Sequence, residues 1–333
     1  MTAYAASTLG ALGSGSAGVL VSRRGELLLE TYLRGNPEDP SQAIGELSLW
    51  PWWSVTKSVT AALVARLVAS GRLSLDSPLS DALADFRTRG SGPFDRRELR
   101  LWHLMSHTSG CAIEGREEDG IQVDADTDLS RVLVATEPGS AFVYSALGMH
   151  ILERFIEAAT GEDFGRLLAS EVLEPFGMRS ARYVYAEDLA ADPGLRARAL
   201  ACEGGAIVPS QPRQRAGLGL YGTARDLLAF GERWLTLTDA YGEPWCPAGI
   251  REGIWTRRST RPSDGADYGL LWWLFDELSG RVASGASFGV CALLPAQGIA
   301  AVVARNHYGP ARGAFDYKAD KLRILELARR FEG

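Results

Sequence analysis

The stretch WPWWSVTKSVTAALVARLVASG, residues 50–71, crowds three tryptophans against a serine and places a lysine three positions after it. From Ser54 the run is apolar on nearly all sides and closes on Gly71, the pattern of a buried central helix with a glycine past its last turn. At i and i+3, Ser54 and Lys57 share one face of that helix, so Oγ and Nζ can meet. Two readings compete: a capping serine with a charged residue one turn later, or a nucleophile with its base. Lysine usage bears on the choice. Of 35 basic residues only Lys57, Lys318 and Lys321 are lysine. In a chain that otherwise uses arginine, a lysine in an apolar helix points to a need for a cation that burial can deprotonate, which a guanidinium is not.

Outward from this helix, AGVLVSRR and GELLLETYLRG read as two strands joined by a tight turn, after a Gly/Ser-rich lead. Downstream, RRELRLWHLMSHTSG reads as a short helix running into a glycine loop. EPGSAFVYSALGMHILERFIEAATG combines a Pro-Gly turn, an extended piece ending at Tyr144, and an amphipathic helix closed by Gly161. TARDLLAFGERWL is a helix with Thr223 as N-cap and Asp226 completing a capping-box variant. From about residue 266, DYGLLWWLFDE, GRVASG, SFGVCALLP and IAAVVARNH read as short strands, and FDYKADKLRILELARRFE as a closing helix. Strands at both ends with helices between them imply an antiparallel sheet built from both termini, with a mostly helical region inserted.

Composition narrows the function classes. The 333 residues are 46% hydrophobic and 23% charged, as in ordinary globular chains. A net charge of −6 argues against a nucleic-acid footprint, which needs clustered positive charge. No apolar run approaches a membrane span, and the first residues lack a basic, then apolar leader, so a cytoplasmic protein is expected. Cys111, Cys202, Cys246 and Cys291 form no metal or disulfide pattern and read as free thiols. No cofactor motif stands up. Gly13, Gly15 and Gly18 match a dinucleotide loop but precede a strand instead of following one, and read as a flexible lead. The acidic run DADTD at 124–128 lacks the calcium-loop glycine, replaced by Leu129, and has Ala135 at the twelfth position. His103 and His107 lack the glutamate of a zinc protease, Leu104 standing in its place, and read as packing or hydrogen-bonding residues. GASFG around Ser287 fits a nucleophile elbow, but another strand follows where a helix should, and His307 precedes Asp316.

Ser54 keeps the strongest claim. A serine in the first turn of a helix faces its positive end, where an oxyanion is stabilised. A lysine can serve as its base, and a tyrosine such as Tyr144 can complete the proton relay. With SVTK, GRLSLDSPLSD, LWHLMSHTSG, EPGSAFVYSALG and YGTARDLLAFG in this order, the chain resembles the serine β-lactamase and penicillin-binding superfamily, in its class C-like esterase and amidase branch. The resemblance runs from about residue 18 to the C-terminus. It implies an α+β fold: an antiparallel sheet flanked by N- and C-terminal helices plus an inserted, mostly helical domain. The sheet-containing domain would comprise residues 1–50 and 215–333 and the helical one 51–214, with the active site in the cleft between them.

By that resemblance Ser54 is similar to the acylated nucleophile, Lys57 to its partner base and Tyr144 to the tyrosine of a Y-x-N element. The third element of the family falls on Ala283-Ser284-Gly285, and the backbone N–H groups of Ser54 and Ala286 would form the oxyanion hole. Two positions depart from the pattern: the asparagine is Ala146 and the cationic residue is Ala283. Both changes remove groups that recognise β-lactam-like substrates, so efficient penicillin hydrolysis is not expected. The expected reaction is ester or amide hydrolysis on a small molecule through a Ser54 acyl-enzyme. Acyl transfer to an alcohol or amine is the alternative, and a binding or sensor protein without turnover a second one. Trp53 and Trp272, with Ser284 and Gly285, are the expected substrate contacts. Trp50, Trp52 and Trp273 would either extend an aromatic wall or pack the seam between the domains.

Overall fold

The computed structural model describes residues 1–12, 15–34, 44–114, 127–202, 205–285, 288–307 and 315–332. The acidic loop run 124–126, Ala286 and Ser287 lie outside the described residues.

The chain opens with α1 (Thr2–Ala11), β1 (Gly15–Arg23) and β2 (Glu26–Arg34). Next come β3 (Trp50–Pro51), α2 (Val55–Ala69), α3 (Leu101–Met105), β4 (Cys111–Ile113) and β5 (Val132–Val134). The central part continues through α4 (Ala146–Thr160), α5 (Phe164–Leu168), β6 (Arg182–Tyr183), α6 (Ala186–Ala191), α7 (Pro193–Arg198) and β7 (Leu220–Gly222). The last third holds α8 (Ala224–Thr236), α9 (Ala248–Ile254), β8 (Ser259–Thr260), β9 (Asp267–Tyr268), β10 (Trp273–Phe275), β11 (Gly280–Gly285), β12 (Gly289–Leu294), β13 (Ile299–His307) and α10 (Tyr317–Ala328).

Eight strands form one antiparallel sheet in the order β2-β1-β13-β12-β11-β10-β9-β8. The N-terminal strand therefore lies beside the last one, with Gly15 opposite His307 and Arg23 opposite Ile299. Period-2 alternation divides the sheet's side chains between two cores. Val19, Val21, Val290, Ala292, Ala301 and Val303 face the layer that holds α1 and α10. Leu20, Ala283, Cys291, Leu293, Val302 and Ala304 face α2 and α8.

Helix α2 is the element the sequence marked most strongly. From Val55 to Ala65 every residue is buried. Its few polar side chains are all bonded: Thr56 Oγ1 accepts from Leu220 N at 3.3 Å, Ser58 Oγ donates to Leu271 O at 2.6 Å and Thr60 Oγ1 donates to Ala216 O at 2.8 Å. An unbonded buried hydroxyl would cost about 1–3 kcal/mol, so these bonds are what let the helix sit inside the protein. Gly161 ends α4 at φ +74, and the Thr223/Asp226 capping box opens α8, both as the sequence indicates.

Three expectations are corrected. The glycine-rich lead is not a flexible lead throughout, since Gly15 and Gly18 sit inside β1. A Cβ on Gly18 would come within 2.9 Å of Ala224 on α8, so the glycine serves close packing. The run DYGLLWWLFDE is two strands, β9 and β10, because Leu271 turns the chain at φ +63 between them. Helix α1 is the N-terminal helix that the resemblance implies, where the local reading had a Gly/Ser-rich lead; its cap makes no side-chain hydrogen bond, and nothing local announces it. The strand that precedes Gly285 and the strand that begins at Gly289 leave no place for the helix a nucleophile elbow requires.

Candidate active site

The chain enters α2 through a strained residue. Trp53 has φ +46, in the left-handed region that non-glycine residues rarely adopt, and its ring stacks on Phe288 at 5.1 Å. Ser54 follows as the residue before the helix, and its hydroxyl makes no capping hydrogen bond to the helix backbone. Instead Oγ accepts from Lys57 Nζ at 2.9 Å. Lys57 is 4% exposed, and Nζ also donates to the carbonyl of Gly217 at 2.8 Å. The structure thus brings together the two residues whose spacing put them on one face.

The carbonyl that holds Lys57 is itself fixed from below. Glu153 on α4, fully buried, accepts from Arg215 N at 2.7 Å, Arg215 Nε at 2.9 Å and Ala216 N at 3.3 Å. Burial raises the Glu153 pKa, against the opposing pull of Arg215. Thr60, on α2 one turn after Lys57, bonds Ala216 O. Gly217 is tight as well, since a Cβ there would lie 3.1 Å from Met149 Cβ. Sequence reasoning missed Glu153, Arg215 and Gly217. The one local signal was a glutamate inside an apolar helix face with no lysine or arginine at helical spacing.

Tyr144 lies just before α4 and is half-buried. What it offers Lys57 is the face of its ring, with Nζ 4.8 Å from the centroid. No hydrogen bond joins Tyr144 Oη to Ser54 or Lys57 among the described residues. His107 packs tilted against Tyr144 at 4.4 Å between ring centroids, and Trp273 stacks on Tyr144 at 6.4 Å. His107 is buried, and desolvation followed by the nearby Lys57 charge holds its pKa well below the ordinary histidine value. It is therefore a neutral ring. Its Nε2 is buried without a partner among the described residues. His103, the other histidine of this pair, accepts from Arg100 N at 2.9 Å through Nδ1, and burial brings its pKa to about 4.

The end of β11 approaches the start of α2 very closely. A Cβ on Gly285 would fall 2.0 Å from Trp52 O and 3.2 Å from Ser54 N, so only glycine lets the strand come this near. Ser284 beside it is buried. Ala283 is fully buried on the α2 face of the sheet, and Ala146 opens α4. Neither position supplies a polar group.

The aromatic wall is corrected in part. Trp272, expected to contact substrate, is fully buried and packs among Phe230, Trp234 and Trp255 at 5.2–5.8 Å, so it has no surface to offer a ligand. Trp50 and Trp52 are likewise fully buried, Trp50 stacked on Tyr32 and Trp52 pressed on Gly222, where a Cβ would sit 2.2 Å from its ring. All three belong to one hydrophobic core. Trp53 is half-buried beside a small apolar hollow lined by Pro51, Val208, Pro209, Leu218 and Leu220. The four cysteines are free, and no group of three metal-ligating side chains occurs among the described residues. No helix among the described residues is long and apolar enough to cross a membrane.

An eight-stranded antiparallel sheet with helices on both faces is the fold of β-lactamase- and transpeptidase-like proteins. The chain belongs to the Beta-lactamase family, whose model matches residues 3–324. Among curated relatives, it is 34% identical over 188 residues to Esterase EstB of Burkholderia gladioli, covering 50% of this chain and 47% of that protein. It is 32% identical over 135 residues to Penicillin-binding protein 4 of Amycolatopsis lactamdurans, covering 38% and 34%. The chain thus spans about half the length of the first relative and a third of the second. Among solved structures, EstCE1, described as a hydrolase with promiscuous acyltransferase activity, superposes with a TM-score of 0.76 at 17% identity, over 98% of this chain and 97% of that one. A D-stereospecific amidohydrolase from Streptomyces gives 0.71 at 19%, with 98% coverage of both. At these identities the structural likeness speaks for the fold.

Proposed function

We propose that the protein is a serine acyl hydrolase, acting on small esters or amides through an acyl-enzyme on Ser54. The observation that carries this reading is the use of the Ser54 hydroxyl. At a helix start it is free of any capping role, and it is bonded to the amine of a buried lysine at 2.9 Å. In the reaction, Oγ attacks the carbonyl carbon, and its proton is accepted at the Lys57 amine, with Tyr144 as relay to the leaving group. The carbonyl oxygen becomes an oxyanion held by the N–H groups of Ser54 and Ala286 at the positive end of α2. The leaving alcohol or amine takes a proton, and water, deprotonated by the same base, releases the acid and restores Ser54.

The site would lie in the cleft between a sheet unit, residues 1–50 and 215–333, and a helical unit, residues 51–214. Its recognition positions are uncharged: Ala146 and Ala283 stand where the family pattern has polar groups. An ester with an uncharged apolar acyl or alkoxy group fits these surroundings better than a carboxylate-bearing β-lactam. The relation to EstB supports the esterase reading. Acyl transfer is the second reading, supported by the likeness to EstCE1, described as a hydrolase with promiscuous acyltransferase activity.

Intact-mass labelling with a fluorophosphonate tests the assignment. Wild type and Ser287→Ala are expected to gain one adduct, and Ser54→Ala none. Labelling that survives Ser54→Ala and disappears in Ser287→Ala would overturn it. Product analysis of a chromogenic ester with added alcohol separates hydrolysis from transfer.

A further inference from the structure

We propose that His107 is the positioning residue that holds Tyr144 against Lys57, and that it does so as a neutral ring protonated on Nε2. This rests on the reading of Tyr144 as part of the base system.

The residues on both sides of Tyr144 are tied to His107. Val143 N donates to the His107 carbonyl at 2.8 Å, and Ser145 N donates to its Nδ1 at 3.3 Å. Between these two bonds the imidazole packs against the Tyr144 ring at 4.4 Å. Phe142 meets the same imidazole edge-on at 5.8 Å, and Tyr268 lies tilted against it at 5.4 Å. A segment of four residues is thereby threaded around one side chain. His107 adopts φ +56, a conformation that costs a non-glycine residue energy and persists only where surrounding contacts enforce it. That turn points the carbonyl and the ring toward the same stretch of chain.

The hydrogen bond from Ser145 N occupies the Nδ1 lone pair, which places the ring proton on Nε2. The ionisable groups facing the ring are Lys57 on α2, Tyr144 ahead of α4 and Tyr268 on β9. A second proton would remove the acceptor that Ser145 needs and set a cation beside Lys57, so the clamp works only with the ring neutral. Burial and the Lys57 charge keep it so.

The test is a double-mutant cycle on the rate of fluorophosphonate acylation. His107→Asn keeps an acceptor without the ring, and His107→Phe keeps a ring without the acceptor. Each is expected to slow acylation about 10-fold or more in the wild-type background, and less than 3-fold further when Tyr144→Phe is already present, because a positioning residue acts through what it positions. Full multiplication of the two losses would overturn the proposal while leaving Tyr144 in the mechanism. A Tyr144→Phe protein that acylates at the wild-type rate would remove Tyr144 from the mechanism and the proposal with it, with Ser54 labelling still standing. Nitrogen-correlated spectra of the folded wild type supply a check that needs no variant to fold. At pH 5.5 the His107 ring, assigned through its contacts with the Tyr144 ring, should be a neutral Nε2–H tautomer, and a charged or Nδ1–H ring would overturn the proposal.

Discussion

Gly285 shows how little room the site leaves around the nucleophile. A methyl group there would meet a backbone oxygen at 2.0 Å, and a backbone atom cannot rotate away as a side chain can. Gly285→Ala should push the end of β11 off Ser54, lowering the fluorophosphonate acylation rate more than 10-fold and costing roughly 1–3 kcal/mol of stability from overpacking. Stopped-flow acylation kinetics and urea unfolding on the same preparation would measure both. An unchanged rate would mean that the strand does not help build the site. At this scale the sequence was informative wherever chemistry is written locally. The three-residue spacing of Ser54 and Lys57 and the scarcity of lysine led to the pair. Gly217 and Glu153 were invisible because they act on Lys57 across distances of up to 160 positions of chain, where no spacing rule applies.

Capping is the element-scale feature that both the sequence and the structure express most fully. In α8, Asp226 N donates to Thr223 Oγ1 at 3.0 Å, and Asp226 Oδ2 accepts from Thr223 N at 2.9 Å and Thr223 Oγ1 at 2.8 Å. Thr223→Ala should cost about 1 kcal/mol, read as a lowered urea midpoint with unchanged slope. Because α8 packs on β1, β12 and β13, the loss should appear in global unfolding and not as local fraying. Elements with such end signals, α4 and α8 among them, were legible from residue types and spacing alone. Helix α1 was not, lacking a side-chain cap. The break between β9 and β10 was hidden too, because Leu271 adopts a left-handed conformation that leucine does not advertise.

For the whole molecule, the outer layer is anchored by a buried ion pair. Arg305 on β13 and Asp320 on α10 meet at 2.8 and 3.0 Å with both side chains out of solvent, and Tyr4 on α1 donates to the same carboxylate at 2.9 Å. Asp320→Ala leaves a guanidinium buried without its counterion and unties α1. It should destabilise by about 3–5 kcal/mol by chemical denaturation, while the protein that remains folded keeps its Ser54 labelling rate. A loss under about 1 kcal/mol, the range of an exposed pair, would show that the contact is incidental. The α+β class was readable from strands at both ends of the chain, but the pairing of the first strand with the last was an inference from topology and not from any residue pattern.

That pairing sets a timetable for synthesis. Ser22 waits for Ala300, its partner in the sheet. At a ribosomal rate of roughly 5–20 residues per second, the wait is about 15–60 seconds. During it, β1 and β2 have been made but lack the strand that covers β1, and α2 has been made without the sheet face that buries it. An apolar helix of this kind, emerging early and covered late, is a natural client for chaperones on the nascent chain.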